Sequence, residues 1–215
     1  MTELRTDFRL LGGRDYVNAG SLLNAFLHAL DAEGARGVRI TRLKAQRTAR
    51  ANGRLLLSGE GAIADAEHAH CTFAATAGNA QWRGAYFDEG QPIARGPAPE
   101  YTVDGVSASG FGGRCTISPR GRDGLVFDII QANKRFHELA AAGAQTSVRF
   151  GYLESWMPPI ADTAFDATLE ADNLITRKAA SGVLTVNRIT YRPAGAAPVT
   201  LLLCFEMEIG GGTPA

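Results

Sequence analysis

The chain has 215 residues, and its 22 lysines and arginines balance 22 aspartates and glutamates, so the formal net charge at pH 7 is zero. A chain without net charge has no long-range field that draws it to nucleic acid or to an anionic membrane, and neither is expected as a partner. The length fits one large domain or two small ones, and a hydrophobic fraction of 45% is enough for a substantial core.

Three cysteines stand far apart in the sequence, at Cys71, Cys115 and Cys204, and no CxxC motif is present. This usage argues against a disulfide framework and against a structural zinc site, and it suits a reducing compartment. The first residues lack the apolar run of a signal peptide, and no segment approaches the ~20 apolar residues of a membrane span. We therefore expect a cytoplasmic protein.

The first half of the sequence predicts a short strand, one helix and four further strands. The short strand lies around residues 8–11, and the helix begins at Asn18 or Ser21, either of which can cap it, and ends at Gly34. One face of this helix is apolar and consists of Leu22, Leu23, Phe26, Leu27 and Leu30. Strands are predicted at 39–51, 54–64, 69–80 and 81–89, with Asn52-Gly53 as a hairpin turn between the first two.

A stretch rich in proline and glycine, residues 90–99, marks the boundary between a domain of residues 1–97 and a domain of residues 98–215. The second half predicts a strand at 114–118 and a helix over 125–142 that ends at Gly143. Further strands are predicted at 148–154, 165–171, 183–191 and 199–209. The second and fourth of these alternate apolar and polar residues, which indicates one buried face in each.

The second helix carries polar residues within its apolar face. That face consists of Leu125, Val126, Ile129, Ile130, Phe136, Leu139 and Ala140. Asn133 and His137 lie inside it, one turn apart, where burial is costly unless both side chains are hydrogen bonded. Asp128 lies at its edge in the first turns, where the helix dipole favours a carboxylate, and Gln131 lies on the polar side. The pattern fits either a ligand pocket or a satisfied polar core.

A pattern at the start of the first helix occurs again in the second half. Gly13-Arg14-Asp15 matches Gly121-Arg122-Asp123, and the His-x-Leu of residues 28–30 matches that of residues 137–139. Internal repetition predicts two copies of one structural unit. Each copy reads as strand, long helix and three or four antiparallel strands, which is an α+β arrangement with the helix against one face of a curved sheet.

This order of elements resembles the hotdog fold, and its duplication resembles the double hotdog, in which two β-α-β-β-β(-β) repeats lie side by side. Hotdog proteins are mostly thioesterases and dehydratases acting on acyl groups carried by coenzyme A or by an acyl carrier protein. The resemblance therefore implies an acyl-CoA or acyl carrier protein substrate and no cofactor. It also implies a helix N-terminus that polarises the thioester carbonyl and a nearby carboxylate that acts as base or nucleophile.

The first half contains one run that carries this resemblance. Asp15-Tyr16-Val17-Asn18-Ala19 is similar to the thioesterase run in which Asp is followed by Gly-His-Val-Asn-Asn-Ala, with the Gly-His pair and one Asn missing. The similarity implies that Asp15 is catalytic and that Asn18 contacts the substrate. The alternative is that Asp15 caps a turn and Asn18 caps the helix, which requires the same residue types.

The second half resembles the polyketide dehydratases, which place an Asp and then a Gln or His on their second helix. Asp128 and Gln131 match these positions, with a spacing one residue shorter. The resemblance implies that Asp128 is catalytic and that Gln131, Asn133 and His137 contact the substrate. An alternative is that Asp128 only stabilises the helix N-terminus.

Other motifs are absent or incomplete. None of the four histidines begins the His-x-x-x-Gly-x-x-x-x-Pro run of the dehydratases, which favours hydrolysis over dehydration. His68 and His70, near Asp65 and Glu67, would share one face of a strand, but no distant ligand completes a metal site, and no metal is expected. Residues 110–113 fit neither a P-loop nor a dinucleotide fingerprint.

The sequence thus predicts a thioesterase-like hydrolase of acyl-CoA or acyl carrier protein, with its pocket at the seam between two repeats and the second repeat retaining the chemistry. Hydration, dehydration or isomerisation of the same substrates is the alternative within the fold. A non-catalytic protein that binds an acyl chain or another small ligand is the alternative from a different class. A homodimer formed through sheet edges is left open.

Overall fold

The computed structural model describes residues 1–98, 100–141, 146–159, 163–179 and 182–209. The chain divides into two compact units, one of Met1–Glu100 with Glu154–Ile160 and one of Tyr101–Leu153 with Ala161–Ala215. The domain limits 1–97 and 98–215 stay a prediction. Within the described part of the chain, no helix has both the length and the apolar character needed to cross a bilayer.

The described residues of the first unit form one helix, α1 (Ala19–Ala32), and seven strands. The strands are β1 (Thr2–Arg5), β2 (Arg9–Leu11), β3 (Val38–Ala45), β4 (Asn52–Ser58), β5 (Cys71–Ala77), β6 (Ala80–Gln91) and β7 (Ala94–Gly96). β1, β4, β6, β5 and β3 lie side by side in that order, while β2 pairs with β7 in a small parallel sheet.

Helix α1 forms where the sequence predicts it. The Asn18 side chain accepts a hydrogen bond of 2.7 Å from the backbone N–H of Gly20 and so caps the first turn. The five predicted apolar residues are all buried. Phe26 stacks on Phe73 with ring centroids 4.8 Å apart, and a Cβ at position 84 would lie 2.5 Å from the Phe26 ring. The helix can therefore lie against β5 and β6 only because residue 84 is glycine.

The predicted hairpin at Asn52-Gly53 is wrong. Both residues lie inside β4, which pairs with β1 and β6, whereas β3 pairs with β5. Asn52 accepts a hydrogen bond of 2.7 Å from the backbone N–H of Phe8 and donates one of 3.0 Å to the carbonyl of Pro92. A Cβ on Gly53 would lie 1.9 Å from the Phe87 carbonyl oxygen. The asparagine and the glycine are thus required by tertiary contacts. An Asn-Gly pair in the sequence looks the same whether it makes such contacts or forms a turn.

The described residues of the second unit form one helix, α2 (Arg122–Ala140), and strands in six segments. The strands are β8 (Val103–Ser109), β9 (Gly112–Ile117), β10 (Thr146–Trp156, of which residues 146–153 belong to this unit), β11 (Ala167–Ala179), β12 (Gly182–Pro193) and β13 (Val199–Ile209). Their order is β10, β13, β12, β11, β9, β8, and the neighbouring strands from β13 to β8 pair antiparallel. Each unit therefore has an α+β composition with a single long helix.

Helix α2 begins at Arg122, earlier than predicted, after Gly121, whose φ of 113° suits only glycine. Its middle is buried as predicted, and the ring of Phe136 lies so close to β9 that a Cβ on Gly113 would be 2.7 Å from it. The predicted apolar face is wrong at its end, because Leu139 is 49% exposed. The last turn of α2 therefore lies outside the core.

The matched His-x-Leu pairs of the predicted repeat do not occupy equivalent environments. His28 is exposed and Leu30 is fully buried, whereas His137 is fully buried and Leu139 is exposed. The two pairs therefore present opposite faces to the core, and the residue-by-residue match is wrong here. Two residues spaced i, i+2 on a helix point in very different directions, so a match at this spacing carries little information about which one is buried.

Candidate active site

A buried carboxylate lies in the second turn of α2. Asp128 is 1% exposed, and its two oxygens accept hydrogen bonds from Thr102, at 2.9 Å from the backbone N–H and at 2.5 Å from the hydroxyl. The Thr102 hydroxyl also accepts a hydrogen bond of 3.2 Å from the backbone N–H of Ser118. Burial raises the pKa of Asp128, and the two hydrogen bonds from Thr102 partly offset this rise. Such a carboxyl group exchanges protons closer to neutral pH than an ordinary aspartate.

The N-cap residue of α2 supplies no side-chain cap. Gly121 occupies the N-cap position and has no side chain that could accept from the first-turn N–H groups. Helix α1 differs, since Asn18 fills that role. Because the helix dipole favours negative charge at a helix N-terminus, this end of α2 is suited to hold an anionic oxygen.

Asn133, Asn187 and Asn173 form a hydrogen-bonded chain, termed here the asparagine network. Asn187 donates from Nδ2 to the carbonyl of Phe111 at 2.6 Å and to Oδ1 of Asn133 at 2.7 Å, and its own Oδ1 accepts from Asn173 at 2.8 Å. The Phe111 carbonyl requires a donor, which fixes the orientation of the Asn187 amide and hence that of Asn133. Consequently Nδ2 of the fully buried Asn133 has no hydrogen-bond acceptor among the residues that the structure describes.

His137 lies one turn beyond Asn133 and is fully buried. Its Nδ1 is 2.7 Å from the backbone carbonyl oxygen of Asn133, and its Nε2 is 2.6 Å from the hydroxyl of Thr185. A carbonyl only accepts, so Nδ1 carries the proton and Nε2 accepts from Thr185. Burial lowers the pKa of His137, and the hydrogen bond to the Asn133 carbonyl opposes this only in part. The ring is therefore neutral at physiological pH.

The buried polar groups of α2 fall into two clusters. Asn133 is five residues beyond Asp128 and His137 is nine beyond it, which correspond to about 7.5 Å and about 13.5 Å along the helix axis. Asp128 and His137 thus cannot act on the same substrate atom. Gln131 is half-exposed and makes no hydrogen bond to either cluster among the described residues.

The two candidate residues of the first unit have local structural roles. Asp15 is exposed, and one of its carboxylate oxygens is 3.7 Å from Nη2 of Arg50, a surface pair that contributes little to stability. Asn18 is buried and caps α1. The structure gives Asn18 the capping role that the sequence allowed as an alternative. Their catalytic and binding roles stay predictions.

The prediction that His68 and His70 share a strand face is wrong. Ala66–His68 forms a short 3-10 turn, and β5 begins only at Cys71. His70 instead accepts a hydrogen bond of 3.2 Å from the backbone N–H of Asp88 through Nδ1. Ligand atoms of Asp65, Glu67 and His68 lie within 4.8 Å of one another, but all three side chains are exposed, as acidic surface groups commonly are.

Three polar partners were not found by sequence reasoning. Thr185 and Asn187 are two residues apart on β12 and both are fully buried. They occupy inward positions of a strand that continues with buried Ile189 and Tyr191. Two polar residues within this alternation of buried residues could have indicated from the sequence that they are buried polar groups. Thr102 gave no such signal, because its contact with Asp128 joins residues far apart in the chain.

The comparisons with known proteins establish the fold. No family model matches the chain, and no curated protein matches it in sequence. Among solved structures, a protein described as an oleoyl thioesterase from Lactobacillus plantarum aligns with a TM-score of 0.52 at 8% identity, over 97% of this chain and 96% of that one. The dehydratase domain from the CurJ module of the curacin polyketide synthase aligns with a TM-score of 0.54 at 8% identity, over 91% and 83%.

A third structure, a tesB protein from Mycobacterium avium subspecies paratuberculosis, aligns with a TM-score of 0.50 at 11% identity, over 93% of this chain and 90% of that one. At such identities the likeness concerns the fold alone. The predicted resemblance to the hotdog fold of thioesterases and dehydratases is confirmed at this level, and the chain has an α+β hotdog fold.

Proposed function

Starting from the hotdog fold, we propose that this chain hydrolyses acyl thioesters carried by coenzyme A or by an acyl carrier protein, with its reaction centre at the start of α2. One observation carries the proposal. The buried carboxylate Asp128, whose pKa is raised, lies in the second turn of a helix whose N-cap residue is a glycine, so the dipole of one helix and a carboxylate occur together. A base and an oxyanion site on one helix are the two groups that thioester hydrolysis requires.

In the proposed mechanism Asp128 acts as a base through Thr102. The Thr102 hydroxyl donates to Asp128 and is half-exposed, whereas Asp128 itself is almost fully buried. Thr102 gives its proton to Asp128 and takes one from a water molecule, whose oxygen attacks the thioester carbonyl carbon. The first-turn N–H groups of α2 hold the resulting oxyanion. The carbon–sulfur bond then breaks, and the proton returns to the thiolate to give a free thiol and a carboxylic acid.

The geometry favours a base over a direct nucleophile. Both oxygens of Asp128 are engaged by Thr102, and burial leaves no open approach for a substrate carbon. Attack by the carboxylate would require the segment that carries Thr102 to move away first. Transfer of a proton through a hydroxyl already in contact needs no such movement.

The unpaired N–H of Asn133 supports a role in substrate binding. A buried donor without an acceptor costs about 1–3 kcal/mol, which a ligand oxygen can recover. We assign Asn133 to an oxygen of the substrate, with His137 holding the Asn133 backbone in place through Nδ1. Gln131, being half-exposed, is assigned to the mouth of the site.

We also propose that the chain is a double hotdog, with one repeat at residues 1–97 and the other at residues 98–215. Each unit has one long helix with an aromatic ring set over a strand glycine, Phe26 over Gly84 and Phe136 over Gly113. This shared feature supports descent from one repeated unit. The second unit keeps the chemistry in this proposal because α1 is capped by Asn18 and presents no buried carboxylate.

Gain or loss of water from an acyl thioester is the second candidate. The raised pKa of Asp128 favours it, since a carboxyl group that keeps its proton can protonate a leaving hydroxyl. It would also need a second proton-transfer group, which His137 cannot supply at about 13.5 Å along the helix.

Mass spectrometry of the purified protein, incubated with acyl-, hydroxyacyl- and enoyl-coenzyme A, tests the proposal. Release of free coenzyme A supports hydrolysis, whereas a thioester that gains or loses water supports the second candidate. If every thioester, including those on acyl carrier protein, is recovered unchanged, the proposed catalysis is wrong and a binding role replaces it.

Asp128→Asn tests the mechanism. It preserves the shape of the side chain but removes the base, so kcat/KM should fall by about 100-fold or more. Asp104→Asn is the matched control, because Asp104 is an exposed carboxylate on β8 of the same unit, away from the helix N-terminus. Full activity of Asp128→Asn would exclude the proposed base, and an equal loss in Asp104→Asn would point to a general effect of charge.

A further inference from the structure

The sheet of the first unit has a second face, opposite α1, that the proposed reaction does not use. On β5, Phe73 faces α1 and pairs with Leu43 on one side and Gly84 on the other. Because successive residues of a strand point to opposite faces, Thr72 and Ala74 point away from α1. This outer face therefore has small side chains along its central strand.

Long cationic side chains flank these small residues on both sides. Lys44 and Arg42 of β3 lie opposite Thr72 and Ala74, and Arg83 of β6 lies opposite Ala74 on the other side. Neighbouring strands are about 4.8 Å apart, so the backbones that carry Arg42 and Arg83 are about 10 Å apart. Two arginine side chains can reach a common point across that distance, above the small Ala74.

A groove of about 280 Å³ lies at this place, and Arg42, Thr72, Ala74 and Arg83 line it. Its remaining wall is formed by Ala62, Ile63 and Ala66, from the connection between β4 and β5. Ile63 is only 7% exposed, since it belongs to a small apolar cluster with Leu56, Ala69 and Ala85. The wall is therefore anchored to the sheet. The volume lies near the lower end of small-molecule sites, which start at about 300 Å³.

The groove has an excess of positive charge in a chain whose net charge is zero. One acidic group compensates part of it, because Nε of Arg42 is 3.3 Å from Oε1 of Glu154. Within the part of the chain that the structure describes, Arg83 and Lys44 form no ion pair, and Arg83 is exposed. The two charged residues that line the groove are therefore both arginines, and Lys44 lies beside them on β3.

We infer that this groove binds the phosphate groups of a small phosphate ester such as a nucleotide. Guanidinium groups match phosphate oxygens in a bidentate geometry, and Lys44 adds a point charge. Thr72 supplies a hydroxyl donor from the floor, while Ile63 and Ala62 form an apolar wall for the uncharged part of the ligand. The nucleotide end of coenzyme A and an unrelated phosphate ester offer the same chemistry. The inference stands independently of the proposed hydrolysis.

Isothermal titration calorimetry with ADP, pyrophosphate and coenzyme A, at low ionic strength, tests this site. We expect at least one of them to bind, and Arg83→Gln to weaken its binding by about tenfold through loss of a charge-assisted hydrogen bond. The matched control is Arg192→Gln, which removes an exposed strand arginine of the second unit and should leave binding unchanged. Thermal melts of both variants verify folding, and Arg83, being exposed, can be changed without disturbing the core.

A second pair of variants separates charge from bulk. Ala74→Glu places a carboxylate on the floor of the groove and should abolish binding, whereas Ala74→Gln should only reduce it. If coenzyme A and ADP bind alike and Ala74→Glu removes both, the ligand is the nucleotide end of the carrier. If pyrophosphate and ADP bind while coenzyme A is excluded, an independent phosphate ester occupies the groove. No binding by any of the three, or equal weakening by Arg83→Gln and Arg192→Gln, overturns the inference.

Discussion

The asparagine network predicts that two similar substitutions have very different costs. Asn187→Leu removes the donor to the Phe111 carbonyl and to Oδ1 of Asn133 in one step. Asn133→Leu removes an amide whose Nδ2 is already unpaired, and it leaves the bond between Asn187 and Phe111 intact. Leucine has the branching of asparagine but more bulk, and both variants add the same bulk at a buried site, so the difference between their costs reports mainly on hydrogen bonding.

The magnitudes follow from counting stranded groups. A buried polar group that loses its partner costs about 1–3 kcal/mol. Asn187→Leu leaves two acceptors without a donor, so its expected cost is about 2–6 kcal/mol. Asn133→Leu strands one N–H of Asn187 but removes an orphan donor, so its cost should be about 1 kcal/mol or less. In the double variant only the Phe111 carbonyl remains unpaired. Adding Asn133→Leu to Asn187→Leu should therefore restore stability by about 1 kcal/mol or more.

Urea denaturation of the wild type, both single variants and the double variant measures these free energies of unfolding. The order of stability should be wild type, Asn133→Leu, double variant, Asn187→Leu. If Asn133→Leu costs as much as Asn187→Leu, or if the two costs simply add, then the orphan donor of Asn133 and the amide orientations inferred here are wrong.

Two further predictions concern the core. Burial lowers the pKa of His137 below its ordinary value of about 6.5. As the pH falls below about 6.5, the histidine of the unfolded chain is protonated before that of the folded chain, so the folded state loses stability. His137→Gln should reduce the drop in melting temperature between neutral and mildly acidic pH. Part of the drop will remain, because burial also lowers the pKa of His70. An unchanged drop would contradict a neutral His137 ring in the folded state. Gly84→Ala should cost about 1–3 kcal/mol, because the new Cβ would lie 2.5 Å from the Phe26 ring. Gly13→Ala is its control in thermal unfolding, since a Cβ there meets nothing within 4 Å, and equal costs would refute the contact argument.

Sequence periodicity predicted both helices and most of the residues that they bury. Periodicity alone identified the apolar face of α1, and its cap at Asn18 followed from residue type. The same periodicity placed Asn133 and His137 inside the apolar face of α2, and both are fully buried. Such facts are local, because the repeat of 3.6 residues per turn decides which side chains share a face wherever the helix is located.

The tertiary structure alone decided which groups meet across the chain. Asn52-Gly53 has the composition of a hairpin turn, yet long-range contacts to Phe8 and Phe87 place it within a strand. Likewise, the hydrogen-bond partner of Asp128 is Thr102, from a segment that precedes β8. Strand order and register set such pairings, and no local pattern of side chains encodes them. Residue type and spacing therefore predicted where buried polar groups lie, while only the fold decided which of them are satisfied.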